Sequence, residues 1–114
     1  MSLADEILAT DDRPRVPVVA WGRTLYLQPM SGTERDSYDV ELHRASEAGE
    51  RMNNWRAKQL VRSLVNERGE RIFTDEQAGE LGKKNNATLR RLFEQTEAIN
   101  ATGPDAVETA AKNS

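Results

Sequence analysis

The side chains best suited to acid–base chemistry or metal binding are one histidine and two pairs of carboxylates. His43 is the only histidine, and its neighbours in the sequence are charged, so we interpret it as a surface residue. Asp75-Glu76 falls in the first turn of a predicted helix, where the helix dipole favours negative charge. Asp11-Asp12 falls in a predicted linker, where both carboxylates should be solvated. Neither pair therefore indicates a general acid or base.

Other signatures of chemistry are missing from the sequence. The 114 residues contain no zinc-protease, phosphate-loop or serine-hydrolase motif. The absence of cysteine excludes disulfides and thiolate metal sites, and it favours a reducing compartment. No apolar run approaches the roughly 20 residues that span a bilayer, and the N-terminus is acidic where a secretory signal is basic. We expect a soluble, intracellular protein that is not an enzyme and needs no cofactor or metal.

Charge is distributed unevenly along the chain. Residues 1–50 carry five Lys or Arg and ten Asp or Glu, residues 51–73 carry six and two, and the remainder carries five and seven. The net charges are therefore -5, +4 and -2, which sum to -3. The basic segment could bind nucleic acid, an acidic partner, or the acidic N-terminal half of the same fold, and we favour the last.

A nucleic-acid site would have to use an aromatic residue and the basic side chains near it. The chain's pI of about 5.2 and the lack of an RNA-binding aromatic signature argue against such a site. The same spacing suits the wet side of an amphipathic helix. The residues concerned are Trp55, Arg56, Arg62, Arg68 and Arg71.

Periodicity predicts a mainly α fold with a small N-terminal β-hairpin packed on a compact bundle of about four helices. Residues 16–20 and 24–28 are β-like and flank Gly22, which suits a tight turn. Because a lone hairpin is marginal, Leu25 and Leu27 should face a helical layer. We expect an N-terminal arm or short helix within residues 1–12, one domain at 13–102 and a flexible tail at 103–114.

Capping signals and apolar stripes predict the helices. The capping boxes Ser31/Glu34 and Thr74/Gln77 mark two helix starts, the first of a helix running to residue 47 and the second of a short helix ending at Gly82. Two more helices are predicted at 55–66, capped by Asn54, and from Asn85 or Asn86 to about residue 100. The expected core residues are Tyr38, Leu42, Ala45, Ala57, Leu60, Val61, Leu64, Val65, Ile72, Phe73, Leu89, Leu92, Phe93, Thr96 and Ile99 or Asn100. Residues Arg56, Lys58 and Arg62 are expected on wetter sides.

The hairpin also carries two aromatic residues. Trp21 adjoins the predicted turn, and Tyr26 points away from the face of Leu25 and Leu27. Such aromatic residues usually belong to the core, and otherwise they form an exposed recognition patch. The residues alone thus predict a small helical binding module.

The order of segments resembles the tail assembly chaperones of long-tailed, siphovirus-type bacteriophages. The resemblance rests on MSLADEILATDD before VPVVAWGRTLYL, on MSGTERDSYD, on the run NWRAKQLVRSLVNERGERIFTDEQAGELGKKNNATLRRLFEQTEAIN, and on the ending VETAAKNS. These segments cover nearly the whole chain, and their collinear order is more specific than any one motif. Asn66 stands where relatives frequently carry Asp, and Asn serves equally well in a turn.

The resemblance implies a non-enzymatic role in the host cell cytoplasm. Such chaperones bind the tape measure protein, keep this long helical rod soluble, help to recruit the major tail tube protein, and are absent from the mature virion. Many are also made in a longer, frameshifted form, and Ala111-Lys112-Asn113 can be encoded by a slippery run of adenines. No membrane partner is implied, and self-association is an open alternative.

The residues expected to contact a partner are the exposed aromatics and two neighbouring arginines. They are Trp21, Tyr26, Trp55, Arg56 and Arg62. Two alternatives stay open at this point. One is a small nucleic-acid-binding regulator that uses residues 51–71, and the other is a minor structural tail or connector protein.

Overall fold

The computed structural model describes residues 2–49 and 53–102. Helices dominate, and a three-stranded antiparallel sheet is added to them, so the predicted fold class is confirmed. The elements are α1 (Leu3–Ala9), β1 (Val16–Ala20), β2 (Arg23–Leu27), α2 (Gly32–Glu47), α3 (Trp55–Ser63), β3 (Leu64–Val65), a 3₁₀ turn (Asp75–Gln77), α4 (Ala78–Leu81) and α5 (Asn86–Thr102). The expected flexible tail at 103–114 lies outside the described residues.

The hairpin forms where the alternation predicts it, with a two-residue turn. Trp21 and Gly22 have φ values of 54° and 71°, the left-handed pair that a tight hairpin turn requires. Val18 pairs with Leu25, so both side chains lie on one face of the sheet. Leu27 on this face is fully buried, which confirms that the hairpin lies against a helical layer.

The predicted helix at 55–66 is three residues too long, because α3 ends at Ser63. The next two residues pair with β2 instead, Leu64 with Leu27 and Val65 with Tyr26. Both continue the helical spacing of the apolar stripe, so periodicity alone could not separate the helix from the strand. The free edge of β2 offers backbone partners that end the helix.

Helix α3 occupies the centre of the core. Leu60, Val61 and Leu64 have no exposed surface, and Leu92 of α5 packs in the same apolar cluster. The predicted stripes of the third and last helices are confirmed, including buried Thr96 and Ile99. Burial of several such side chains, at about 1.5–3 kcal/mol each, holds this layer together.

Helix α2 covers the core with only its first half. Tyr38 is buried, and its hydroxyl donates a hydrogen bond to the Trp55 carbonyl at 3.4 Å. Burial raises the pKa of Tyr38, and Glu97 raises it further. Leu42, expected in the core, is 36% exposed, and Ala45 is only partly covered, because the helix continues past the elements it packs on.

Local capping follows the sequence at most helix ends. Both predicted capping boxes are present, with the Ser31 hydroxyl accepting from the Glu34 N–H and Thr74 paired with Gln77. Asn54 precedes α3, but its side chain makes no capping bond, contrary to prediction. Its φ of 59° turns the chain into the helix by backbone geometry alone.

The segment after β3 folds back as predicted, with one exception. Gly69 has a φ of 83° at the centre of the turn. Phe73 packs against the core, but Ile72 is 38% exposed and so does not belong to it. The Ile72 N–H donates to the Leu64 carbonyl, which keeps its backbone beside the sheet while its side chain stays at the surface.

Candidate partner-binding surface

Trp55, Arg56 and Phe93 form an aromatic cluster where α3 crosses α5. The rings of Trp55 and Phe93 meet edge to face, with centroids 4.9 Å apart and planes at 84°. The Arg56 guanidinium carbon lies 4.7 Å from the Trp55 ring centroid and 5.8 Å from that of Phe93. The stacked cation adds about 0.5–1 kcal/mol at such a half-exposed site. Trp55 is nevertheless 39% exposed, so part of its ring is available to a partner.

A shallow cleft of about 160 Å³ adjoins this cluster. Trp55 and Arg56 form one wall, while Gly82 and Leu89 belong to the opposite segments. A side chain at position 82 would collide with Asn54, because an added Cβ would overlap the Asn54 carboxamide. A larger residue at this position would require the exposed Asn54 side chain to rotate away.

Trp21 lines a second and larger cleft of about 440 Å³. Phe73 and Leu81 contribute apolar surface, and Lys83 and Lys84 lie at its polar edge. The volume falls within the roughly 300–1,000 Å³ that is usual for binding clefts. Trp21 keeps 37% of its surface exposed, although its ring is a wall of the cleft.

The two clefts lie on either side of one short connection. Leu81 lines the larger cleft, and the next residue, Gly82, lines the smaller one. Trp21 and Trp55 are the two tryptophans of the chain. The structure thus brings them to two adjoining clefts at the end of α4, of which the larger is mainly apolar and the smaller mixes polar and apolar groups.

Tyr26 does not line either cleft. It pairs across the sheet with Pro17 on one side and Val65 on the other, and it is half-buried. It lies on the opposite face of the sheet from Leu25 and Leu27, beside the buried Val65. The predicted patch of three aromatic residues is therefore divided, and Tyr26 is separate from the two tryptophans.

Arg62, expected on a wet face and at a binding site, is buried with only 2% of its side chain exposed. Its guanidinium donates to the Glu41 carboxylate at 2.8 Å and to the Lys58 carbonyl at 2.6 Å. Asp75 lies 3.9 Å away. The prediction of an exposed Arg62 is wrong. The helical pattern gives the spacing of residues along α3, but it does not show that another helix supplies a carboxylate that lets the arginine be buried. Arg62 joins α2 to α3 and is not available to a partner.

The basic segment mostly pairs with acidic groups of the same fold. Lys58 lies 3.2 Å from Glu41, and Arg71 lies 3.9 Å from Glu34. Both carboxylates belong to the acidic N-terminal half, so the favoured interpretation of the charge asymmetry is confirmed for these residues. Arg71 also donates to Asp75 at 2.6 Å, and this hydrogen bond holds the pKa of Asp75 below its usual value.

The remaining side chains that could act in acid–base chemistry or metal binding lie apart from one another. His43 is a surface residue as predicted, 74% exposed and 3.1 Å from Glu47. Within residues 2–49 and 53–102, no group of three or more histidines or carboxylates is placed to hold a metal ion. None of the helices described is both long and apolar enough to cross a bilayer.

Several residues of this surface were not identified as binding residues from the sequence. Phe73 and Phe93 were assigned to the core, and they are only partly buried because each also faces a tryptophan-lined depression or cluster. Lys83 and Lys84 carried no periodic signal. The sequence Gly82-Lys83-Lys84 directly after a short helix was the available indication of a basic rim on the larger cleft.

A scan of protein-family models, a search of curated proteins and a search of solved structures each find no match to this chain.

Proposed function

We propose that this protein is a bacteriophage tail assembly chaperone that binds the tape measure protein and keeps it soluble. The observation that carries the proposal is the pair of adjoining clefts at Trp21 and Trp55. Each tryptophan is more than one third exposed although the chain contains only six aromatic residues. The collinear resemblance described above supplies the identity of the client.

The shape and chemistry of the clefts suit a helical client. An amphipathic helix docks its apolar seam into a hydrophobic groove through side chains one helical turn apart. The larger cleft is mainly apolar, and the smaller cleft beyond the Leu81–Gly82 step adds Trp55 and Leu89 as further apolar contacts among polar groups. Lys83 and Lys84 at the rim would add electrostatic selection for an acidic flank. Clefts that face the solvent suit a chaperone, because the client must be released when the tube assembles.

Tail assembly would involve two forms of the protein. A longer, frameshifted form would recruit the major tail tube protein, while the short form covers the client. The protein acts in the host cell cytoplasm and is absent from the mature virion. Its presence in purified particles would instead favour a minor structural tail or connector protein.

The experiment is co-expression with the large coding product immediately downstream in the genome. We expect that product to be soluble and to co-purify only when this protein is present. The double variant Trp21→Ala/Trp55→Ala should lose most of this effect, with an unchanged circular dichroism spectrum. Loss of solubilisation follows from removing the two partly exposed rings that dominate the clefts.

The matched control is Val40→Ala/Leu42→Ala on α2, which removes two apolar side chains that are 47% and 36% exposed but lie outside both clefts. This control should solubilise the client as well as the wild type does. Equal loss in both double variants, or full solubilisation by the tryptophan variant, would contradict the proposal.

A further inference from the structure

Helix α1 is well formed but has no buried residue. Its N-terminus carries a complete capping box, in which the Ser2 hydroxyl accepts from the Asp5 N–H and the Asp5 carboxylate accepts from the Ser2 N–H. Yet Leu3, Ile7 and Leu8 are 71%, 62% and 84% exposed. A helix of seven residues is too short to be stable alone in water. The described residues of the same chain leave this apolar stripe uncovered, so a surface that stabilises α1 has to be sought beyond its present contacts.

Charge complementarity points to the larger cleft as that surface. Asp5 and Glu6 flank the apolar side of α1, and residues 2–12 contain four carboxylates and no basic residue. The cleft presents apolar Trp21, Phe73 and Leu81 beside Lys83 and Lys84. Lys83 is paired with Glu80 at 3.1 Å, whereas Lys84 has no ion-pair partner in the described part of the chain. An acidic helix with an apolar stripe matches both features.

The geometry of the arm separates α1 from the cleft of its own chain. Arg13 donates to the Glu34 carboxylate at 3.1 Å and to the Pro29 carbonyl at 3.5 Å, which fixes the arm near the end of the sheet where β1 begins. Trp21 lies at the opposite end, after the five residues of β1. At about 3.3 Å per residue, that strand separates the two points by roughly 17 Å. A second copy can bring its α1 to the cleft without releasing this anchor.

We propose that α1 of one molecule docks in the Trp21–Phe73–Leu81 cleft of a second copy of this chain. A two-fold arrangement exchanges both arms, so each molecule gives one helix and receives one. The two contacts then act together, which strengthens an interaction that would be weak singly. The docking does not depend on the identity of any client, although a client helix bound in the same cleft would displace α1.

The absence of cysteine permits a direct test by disulfide cross-linking. One sample carries Ala4→Cys on the apolar side of α1, and a second carries Lys83→Cys at the cleft. Oxidising their mixture should give a heterodimer in several-fold higher yield than a mixture of Ala4→Cys with His43→Cys, an exposed position on α2. A disulfide requires Cα atoms within about 7 Å, so the yield reports the docked position.

Two further variants sharpen the test. Leu8→Asp in the Ala4→Cys chain should lower the heterodimer yield several-fold, and the melting of its core in dilute solution should remain that of the parent because Leu8 is 84% exposed. Equal yields with Lys83→Cys and His43→Cys would overturn the proposal. So would an intramolecular disulfide in a monomeric Ala4→Cys/Lys83→Cys chain, since that outcome assigns α1 to its own cleft.

Discussion

Helices α1 and α3 are similar in length and both carry an apolar stripe, yet their surroundings are opposite. In α3, the stripe residues Leu60 and Val61 are fully buried, and even Arg62 is inside the fold. In α1, Leu3 and Leu8 are mostly exposed. Both helices follow a residue with the sequence signature of a cap, but only α1 has a side-chain capping bond there.

The difference shows what holds a short helix. Nine residues of α3 persist without a side-chain cap because α4, α5 and the sheet bury them, and packing contributes more than capping does. The seven residues of α1 have a complete capping box and no packing. An apolar stripe therefore predicts that a face will be covered, but not whether the cover belongs to the same molecule.

The largest effect should separate the two stripes. Leu60→Ala removes a fully buried side chain, and we expect it to lower the free energy of unfolding by about 2–5 kcal/mol. Leu8→Ala should change it by less than about 0.5 kcal/mol, because Leu8 is 84% exposed. Urea unfolding of dilute samples measures both. A large loss from Leu8→Ala would show that α1 belongs to the cooperative unit of the single chain.

The second effect concerns the buried cation of α3. Arg62→Ala should lower the free energy of unfolding by about 2–3 kcal/mol, because it removes charge-assisted bonds, leaves Ser37 without its partner and leaves Glu41 with Lys58 alone. Glu41→Gln should lower it by about 1 kcal/mol or less, since Glu41 is 38% exposed. Thermal unfolding of both variants gives the ranking. Equal losses of unfolding free energy in the two variants would mean that the Arg62–Glu41 ion pair, rather than the burial of Arg62, determines the stability.

A third comparison uses the two N-terminal capping boxes. Ser31→Ala should lower the free energy of unfolding by about 1 kcal/mol, because the cap belongs to α2 on the core. The matched change Ser2→Ala should leave global unfolding unchanged and reduce only the helical ellipticity of α1. Global destabilisation by Ser2→Ala in dilute protein would contradict the independence of α1.

The smallest expected effect is on the free energy of unfolding at acidic pH. Arg71 lowers the pKa of Asp75 in the folded chain, so the stabilisation is present above the unfolded value of about 4 and is lost as pH falls through the lower folded value. Because Asp75 is half-exposed, the stabilisation from its pairing with Arg71 stays below about 1 kcal/mol. The difference in unfolding free energy between wild type and Asp75→Asn should therefore shrink between pH 5 and pH 2. A difference that grows on acidification would contradict this assignment.

The sequence predicted the elements whose signals are local. Both capping boxes, the Gly69 turn and the stripes of α3 and α5 depend on spacing along the chain, and they are found where expected. Strand β3 was missed because Leu64 and Val65 fit the helical stripe equally well, and pairing with β2 decides between the two. The exposed end of α2 was missed because the stripe containing Leu42 continues beyond the surface on which it packs.

The candidate site was predicted less well, for a related reason. The adjacency of Trp55 and Arg56 is local, and the structure stacks the two side chains on each other. Phe93 joins that cluster from another helix, and Lys84 reaches the larger cleft through a turn. Neither contact can be recognised from the spacing of residues along the sequence. Arg62 was misassigned because its burial depends on Glu41 of α2.

The most direct test of the account uses tryptophan emission, because the two tryptophans lie one at each cleft. Purified protein would be titrated with helical fragments of the tape measure candidate that contain no tryptophan, at low and at high salt. We predict a saturable blue shift of the tryptophan emission that persists at high salt. The Trp21→Ala/Trp55→Ala variant has no tryptophan, so its binding is measured by the anisotropy of a labelled fragment, and we expect that binding to be lost. Binding without any change in emission, or binding that is lost steeply with salt as nucleic acid binding is, would contradict the claim that the two clefts receive an apolar helical client.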